Sequence, residues 1–69
     1  MKTIKTTDGN HGIRIFQNGG REDDLIVMAV QRLGDQFEYW YTIGNYKSEK
    51  TAFRYASRSL AQHGYALAQ

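Results

Sequence analysis

The sequence predicts a small α+β fold. It has three antiparallel strands, or four if the amino-terminal segment pairs, and one helix packed across a face of the sheet. Three observations carry this. Leu25 to Ile43 reads as two apolar strands folded about Gly34-Asp35, a two-residue turn with glycine first. Ile13 to Gln17 alternates as a third strand. From Glu49 to His63, apolar side chains recur at helical spacing between a serine and a glycine.

Taken in order, residues 1–12 form a lead and turn, 13–43 the antiparallel sheet, 48–63 the helix and 64–69 a tail, all in one domain. Residues 1–7 hold Ile4 as their only large aliphatic after Met1, and are an edge strand or a loose lead. Asp8 to Gly12 is turn chemistry, since Gly and Asn take positive φ cheaply. In the first clear strand, Ile13 and Ile15 share one face, and Arg14 and Phe16 the other. Asn18 to Asp24 is a loop that ends in three carboxylates, Glu22, Asp23 and Asp24.

The Gly34-Asp35 turn sets Leu33 opposite Gln36 and fixes a ladder. One face then pairs Arg32 with Phe37, Val30 with Tyr39, Met28 with Tyr41 and Ile26 with Ile43. The other pairs Gln31 with Glu38, Ala29 with Trp40 and Val27 with Thr42. The first set is the more apolar, so it is expected to meet the helix. The second, with Arg14, Phe16 and Trp40, is expected to lie uncovered. Gly44 to Lys47 is expected to break the strand. Ser48 is the expected N-cap, Glu49 suits the first turn, and Gly64 is the expected left-handed stop. Ala52, Phe53, Ala56 and Leu60 share the buried face of the helix, with His63 at its edge. The tail is expected to dock or to add a short strand.

Sixty-nine residues support one thin core, with about 60% of the unfolded surface buried. The absence of cysteine excludes a disulfide framework and thiolate metal sites, and fits a reducing compartment. The start has no apolar run able to act as a signal, and no stretch nears the roughly 20 apolar residues of a membrane helix. The expectation is a soluble, cytoplasmic protein, whole as it stands. Net charge is +2, unevenly spread: residues 1–18 carry +2, 19–43 carry −3 and 44–69 carry +3. Such a bipolar field steers partners rather than setting the fold.

Four sets of residues are candidates for function. Lys50, Arg54 and Arg58 recur every fourth residue along the helix, and like charges so spaced cost roughly 0.2–0.5 kcal/mol per pair. They suit an anion, such as phosphate or an acidic protein patch; a solvated face and an internal pairing with the acidic loop are the alternatives. Trp40 with Arg14 has the make-up of an interface anchor or a base-stacking platform; the plainer alternative is core. Glu22, Asp23 and Asp24 suit a basic protein surface or bare solvent, and lack the alternating oxygens of a calcium loop. His11 and His63 have no second ligand at metal spacing. The serines lack a nucleophile elbow, and no glycine pair ends in the Gly-Lys-Ser/Thr of a phosphate loop. The expectation is therefore no enzyme, no metal and no cofactor.

The segment Gly44-x-Tyr46-x-Ser48-x3-Ala52-x2-Tyr55-Ala56 resembles a strand-to-helix junction. It is similar to that of the three-stranded-sheet DNA-binding domains of plant ethylene-response factors and of phage-type integrase arm-binding domains. That resemblance implies a β-β-β-α fold and a sheet that reads the major groove. Here Lys47, Lys50 and Arg54 would meet phosphates, while the −3 charge of residues 19–43 departs from the pattern. In size, lack of cysteine and proline, and bipolar charge, the chain also resembles small accessory proteins of phages and mobile elements, including anti-CRISPR and anti-restriction inhibitors. The leading expectation is a non-enzymatic protein that binds another macromolecule, a protein complex, in an inhibitory or regulatory role. A DNA-binding module is the alternative, and a homodimer through the open face is a further reading.

Overall fold

A computed structural model describes residues 1–68. Four strands follow one another in the chain and in space: β1 Lys2–Lys5, β2 His11–Gln17, β3 Leu25–Leu33 and β4 Gln36–Tyr46. All neighbours are antiparallel, and the helix α1, Glu49–Ala61, packs across one face. The amino-terminal lead is thus the fourth strand, and β2 begins at His11, two residues before the expected Ile13. Gln69, the last residue of the expected tail, lies outside the described residues.

The core follows from β2. Ile13 and Ile15 face α1, and strand pairing sets Ala29 beside Ile13 and Val27 beside Ile15. With Leu25 and Ile4 these side chains bury against Ala52, Ala56 and Leu60 of the helix. The two helix alanines have no accessible surface, so the helix sits close to the sheet. Ser48 accepts a hydrogen bond from the Thr51 amide at 3.2 Å, as its N-cap position requires. At the other end Gly64 takes φ 87°. Its amide bonds the Ala61 carbonyl and the Tyr65 amide bonds the Leu60 carbonyl, both at 3.0 Å. This is the left-handed glycine closure of a helix end.

The face assignment of the hairpin is the main correction. The expected pairs Leu33–Gln36, Arg32–Phe37, Gln31–Glu38 and Val30–Tyr39 form about Gly34, which has φ 64°. Beyond them the register shifts twice, so Tyr41 opposes Ala29, Thr42 opposes Met28 and Gly44 opposes Val27. The expected pairs Ala29–Trp40, Met28–Tyr41, Val27–Thr42 and Ile26–Ile43 do not form. Trp40 and Ile43 are extra residues in β4, two bulges that bend and twist the strand. Trp40 and Tyr41, adjacent in sequence, therefore both pack against the helix-side core, as does Ile43. Gly44 does not end the strand, which pairs on to Tyr46. The helix meets Leu25, Val27 and Ala29; Ile26, Met28 and Val30 lie on the other face.

The tail docks as expected. Leu67 bridges Thr6, the Thr7 amide bonds the Ala66 carbonyl at 2.8 Å, and the Ala68 amide bonds the Lys5 carbonyl at 2.9 Å. No helix among the described residues is long and apolar enough to cross a membrane.

Candidate functional site

Pairing and alternation define the uncovered face as four rows across the sheet. Phe16, Ile26 and Asn45 form one, and Thr3, Arg14, Met28 and Thr42 the next. Lys5, Gly12, Val30 and Tyr39 form the third, and Arg32 with Phe37 the last. Nothing in the described chain lies over this face. Tyr39 is 57% exposed, and its hydroxyl meets that of Thr42 at 3.0 Å. Lys5 on the outer strand β1 brings its Nζ to 5.6 Å from the ring centroid of Phe37 on the outer strand β4. Gly12 and Val30, in the same row between the outer strands, are buried. Gly12 admits no side chain, because a Cβ there would stand 2.6 Å from the Ile4 carbonyl oxygen.

Three cations, Lys5, Arg14 and Arg32, share this face, and the carboxylate of Asp24 borders it at the Phe16–Ile26–Asn45 end, where it is bonded to Asn45. Asp8 lies in the β1–β2 turn, where the Thr6 hydroxyl, the Asn10 amide and His11 hold its carboxyl below the usual range. Glu22, Asp23 and Asp24 lie in the β2–β3 loop, and Asp35 in the β3–β4 turn. Glu38 pairs with Gln31 on the helix side, and Glu49 pairs with Lys2 at 2.9 Å. The negative charge of residues 19–43 is thus displaced to the ends and back of the sheet. The −3 charge of residues 19–43, a departure from the DNA-binding pattern, therefore touches the open face only at its Asp24 end. Arg14, midway in its row, forms no ion pair or side-chain hydrogen bond among the described residues, and its Nε is buried without an acceptor.

Of the expected site residues, Arg14 lies on the open face as anticipated, with Phe16 and Thr42. Trp40 does not. Its bulge turns it to the helix side, half-buried among His11 (5.3 Å between ring centroids), Tyr41 (5.0 Å), His63 (4.8 Å) and Tyr65 (6.2 Å). His11 in turn stacks on Tyr65 at 3.8 Å. Both histidines are therefore packing partners of one tryptophan.

The acidic trio is divided. Asp24 accepts from Asn45 at 3.2 Å and Asn18 at 2.9 Å, and these bonds hold its carboxyl below the usual range. It fastens the loop to β4, while Glu22 and Asp23 stay exposed. Lys50, Arg54 and Arg58 are exposed along α1, and no ion pair among the described residues joins them to the acidic loop. Arg54 and Arg58 instead lie over the Tyr55 ring at 5.3 and 5.4 Å, and Tyr55 stacks on Tyr46 at 5.1 Å. This ridge and the open face are on opposite sides of the sheet, so they are separate surfaces.

The residues that sequence reasoning missed are Lys5, Met28, Arg32, Phe37 and Tyr39. The signal was present in β2, where Ile13 and Ile15 oppose Arg14. Carrying that choice across one strand pairing would have turned Met28 outward. Among the described residues, no three His, Cys, Asp or Glu side chains converge as metal ligands would. No family model, curated protein or solved structure matches this chain.

Proposed function

We propose that this protein works by binding another macromolecule through its uncovered sheet face. The partner is a protein complex whose working it inhibits or regulates, and the role needs no chemistry of the protein's own. One observation carries the reading: a four-stranded face with Phe16, Ile26, Met28, Phe37 and Tyr39 among two arginines and a lysine, and no covering element. Aromatic residues, methionine and arginine are the types enriched at interface cores. The role is that of the small accessory proteins of phages and mobile elements, anti-CRISPR proteins among them. The cysteine-free composition supports a cytoplasmic setting.

The test is a quantitative pull-down from the native host with three baits. Wild type should retain a defined complex, Met28→Asp should lose it, and Lys50→Glu should keep it. Equal capture by wild type and Met28→Asp would remove the face from the mechanism.

Nucleic-acid binding is the second reading, favoured by the cations on the face. The junction that resembles DNA-binding domains gives it less support. Ser48 caps, Ala52 and Ala56 pack the core, and Tyr46 stacks on Tyr55, so the matching residues are structural. A gel shift on random duplex at low salt decides. Binding that falls steeply with salt, with a slope near −0.9 per phosphate contact, would favour this reading over the first.

A further inference from the structure

We propose that the surface recognised by the open face is an acidic protein patch with an apolar centre; this rests on the face being the binding surface. Arg14 supplies the first argument. It lies between Thr3 and Met28 with its Nε buried and without an acceptor. A buried donor left unpaired is unfavourable, and the carboxylate at the end of the face, Asp24, is already taken by Asn45 and Asn18. That Nε is covered by the chain itself, so an outside carboxylate meets the guanidinium at its Nη groups, which have no partner among the described residues and suit a charge-assisted contact.

The second argument is the middle of the face. Ile26 and Met28 are half-buried aliphatic neighbours, flanked by Phe16 and Tyr39. Phosphate groups offer nothing apolar to cover aliphatic side chains, whereas a protein patch sets carboxylates beside aliphatic and aromatic side chains of matching kind. The third is charge complementarity. Two copies of this chain meeting face to face would set three cations against three, and like-charge juxtaposition selects against such a pairing. Carboxylates facing Lys5, Arg14 and Arg32 reverse the sign of that interaction.

The experiment uses isotope-labelled full-length protein and amide chemical shifts. Three probes are titrated: a short peptide alternating Glu with Leu and Phe, the same peptide with Lys for Glu, and an oligothymidylate. The acidic peptide should shift amides at Lys5, Arg14, Met28, Arg32 and Tyr39 and leave Lys50 to Arg58 unmoved. Arg14→Gln should weaken that binding about tenfold, and Lys5→Gln, on an outer strand, should weaken it less. Equal binding of the Lys peptide, tighter binding of oligothymidylate on these rows, or shifts that track protein concentration alone would each overturn the acidic-protein assignment and leave the face as a binding surface. Silence of the face toward all three probes would overturn both.

Discussion

At the scale of single residues, the chain separates side chains that look alike in sequence. Asp24 and Asp23 are neighbours, yet only Asp24 is fixed, by amide donors from Asn45 and Asn18. Its carboxyl titrates below the usual range because those donors favour the ionised form, and Asp8 does the same beneath Thr6 and Asn10. A depressed folded-state value gives stability that is present above the unfolded value and lost as pH falls through the folded one. Urea midpoints should therefore drop as pH goes below the carboxylate range. Asp24→Asn should flatten part of that drop, and an undiminished drop in that variant would mean its amide bonds do not stabilise the fold. Trp40→Ala should destabilise by about 2–3 kcal/mol, less than a fully buried tryptophan, because Trp40 is half-buried. Far-ultraviolet dichroism against denaturant would measure it, and no loss would mean that Trp40 does not hold the helix and tail to the sheet.

At the scale of elements, cap chemistry and periodicity were legible and the ladder beyond Tyr39 was not. Ser48, Glu49 and Gly64 mark the helix by local rules that the fold does not override. Leu60→Ala should cost about 3 kcal/mol, since Leu60 is fully buried. Gly64→Ala should cost about 1–2 kcal/mol, because an L side chain is strained at that φ. Thermal or urea unfolding measures both, and a neutral Gly64→Ala would mean the closure gives way readily. The bulges at Trp40 and Ile43 defeat a simple alternation, because each adds one residue to β4 without a partner on β3. Both faces of β3 are apolar, so β3 alone could not choose its side. β2 could, since one of its faces holds Arg14 and the other Ile13 and Ile15. The site was half legible for the same reason: Arg14 and Phe16 came from the unbroken strand, and Trp40 from the bulged one.

At the scale of the whole molecule, the carboxylates lie at the turns, the helix start and the back of the hairpin, while Lys5, Arg14 and Arg32 occupy the open face and Lys50, Arg54 and Arg58 the outer side of the helix. Binding at either basic surface should weaken as salt rises, because exposed charges are screened over about 8–10 Å near physiological ionic strength. The tail belongs to this scale too, since it ties the end of the helix to the outer edge of β1. Truncation after Gly64 removes the bonds of Ala66 and Ala68 and the Tyr65 ring against His11. It should lower the Tm by roughly 5–10 °C, the equivalent of one or two kcal/mol in a domain this small. An unchanged Tm would mean the tail adds nothing to the fold.

The turn of Trp40 toward the helix has a practical consequence in optics. It is the only tryptophan in the chain, and it is ringed by side chains from β2, β4 and the segment after the helix. Its emission therefore reports whether helix, tail and sheet are assembled. The open face on the far side holds no indole, so occupancy there leaves that signal nearly silent. Trp40 emission thus follows folding in the unmodified protein without interference from whatever occupies the open face.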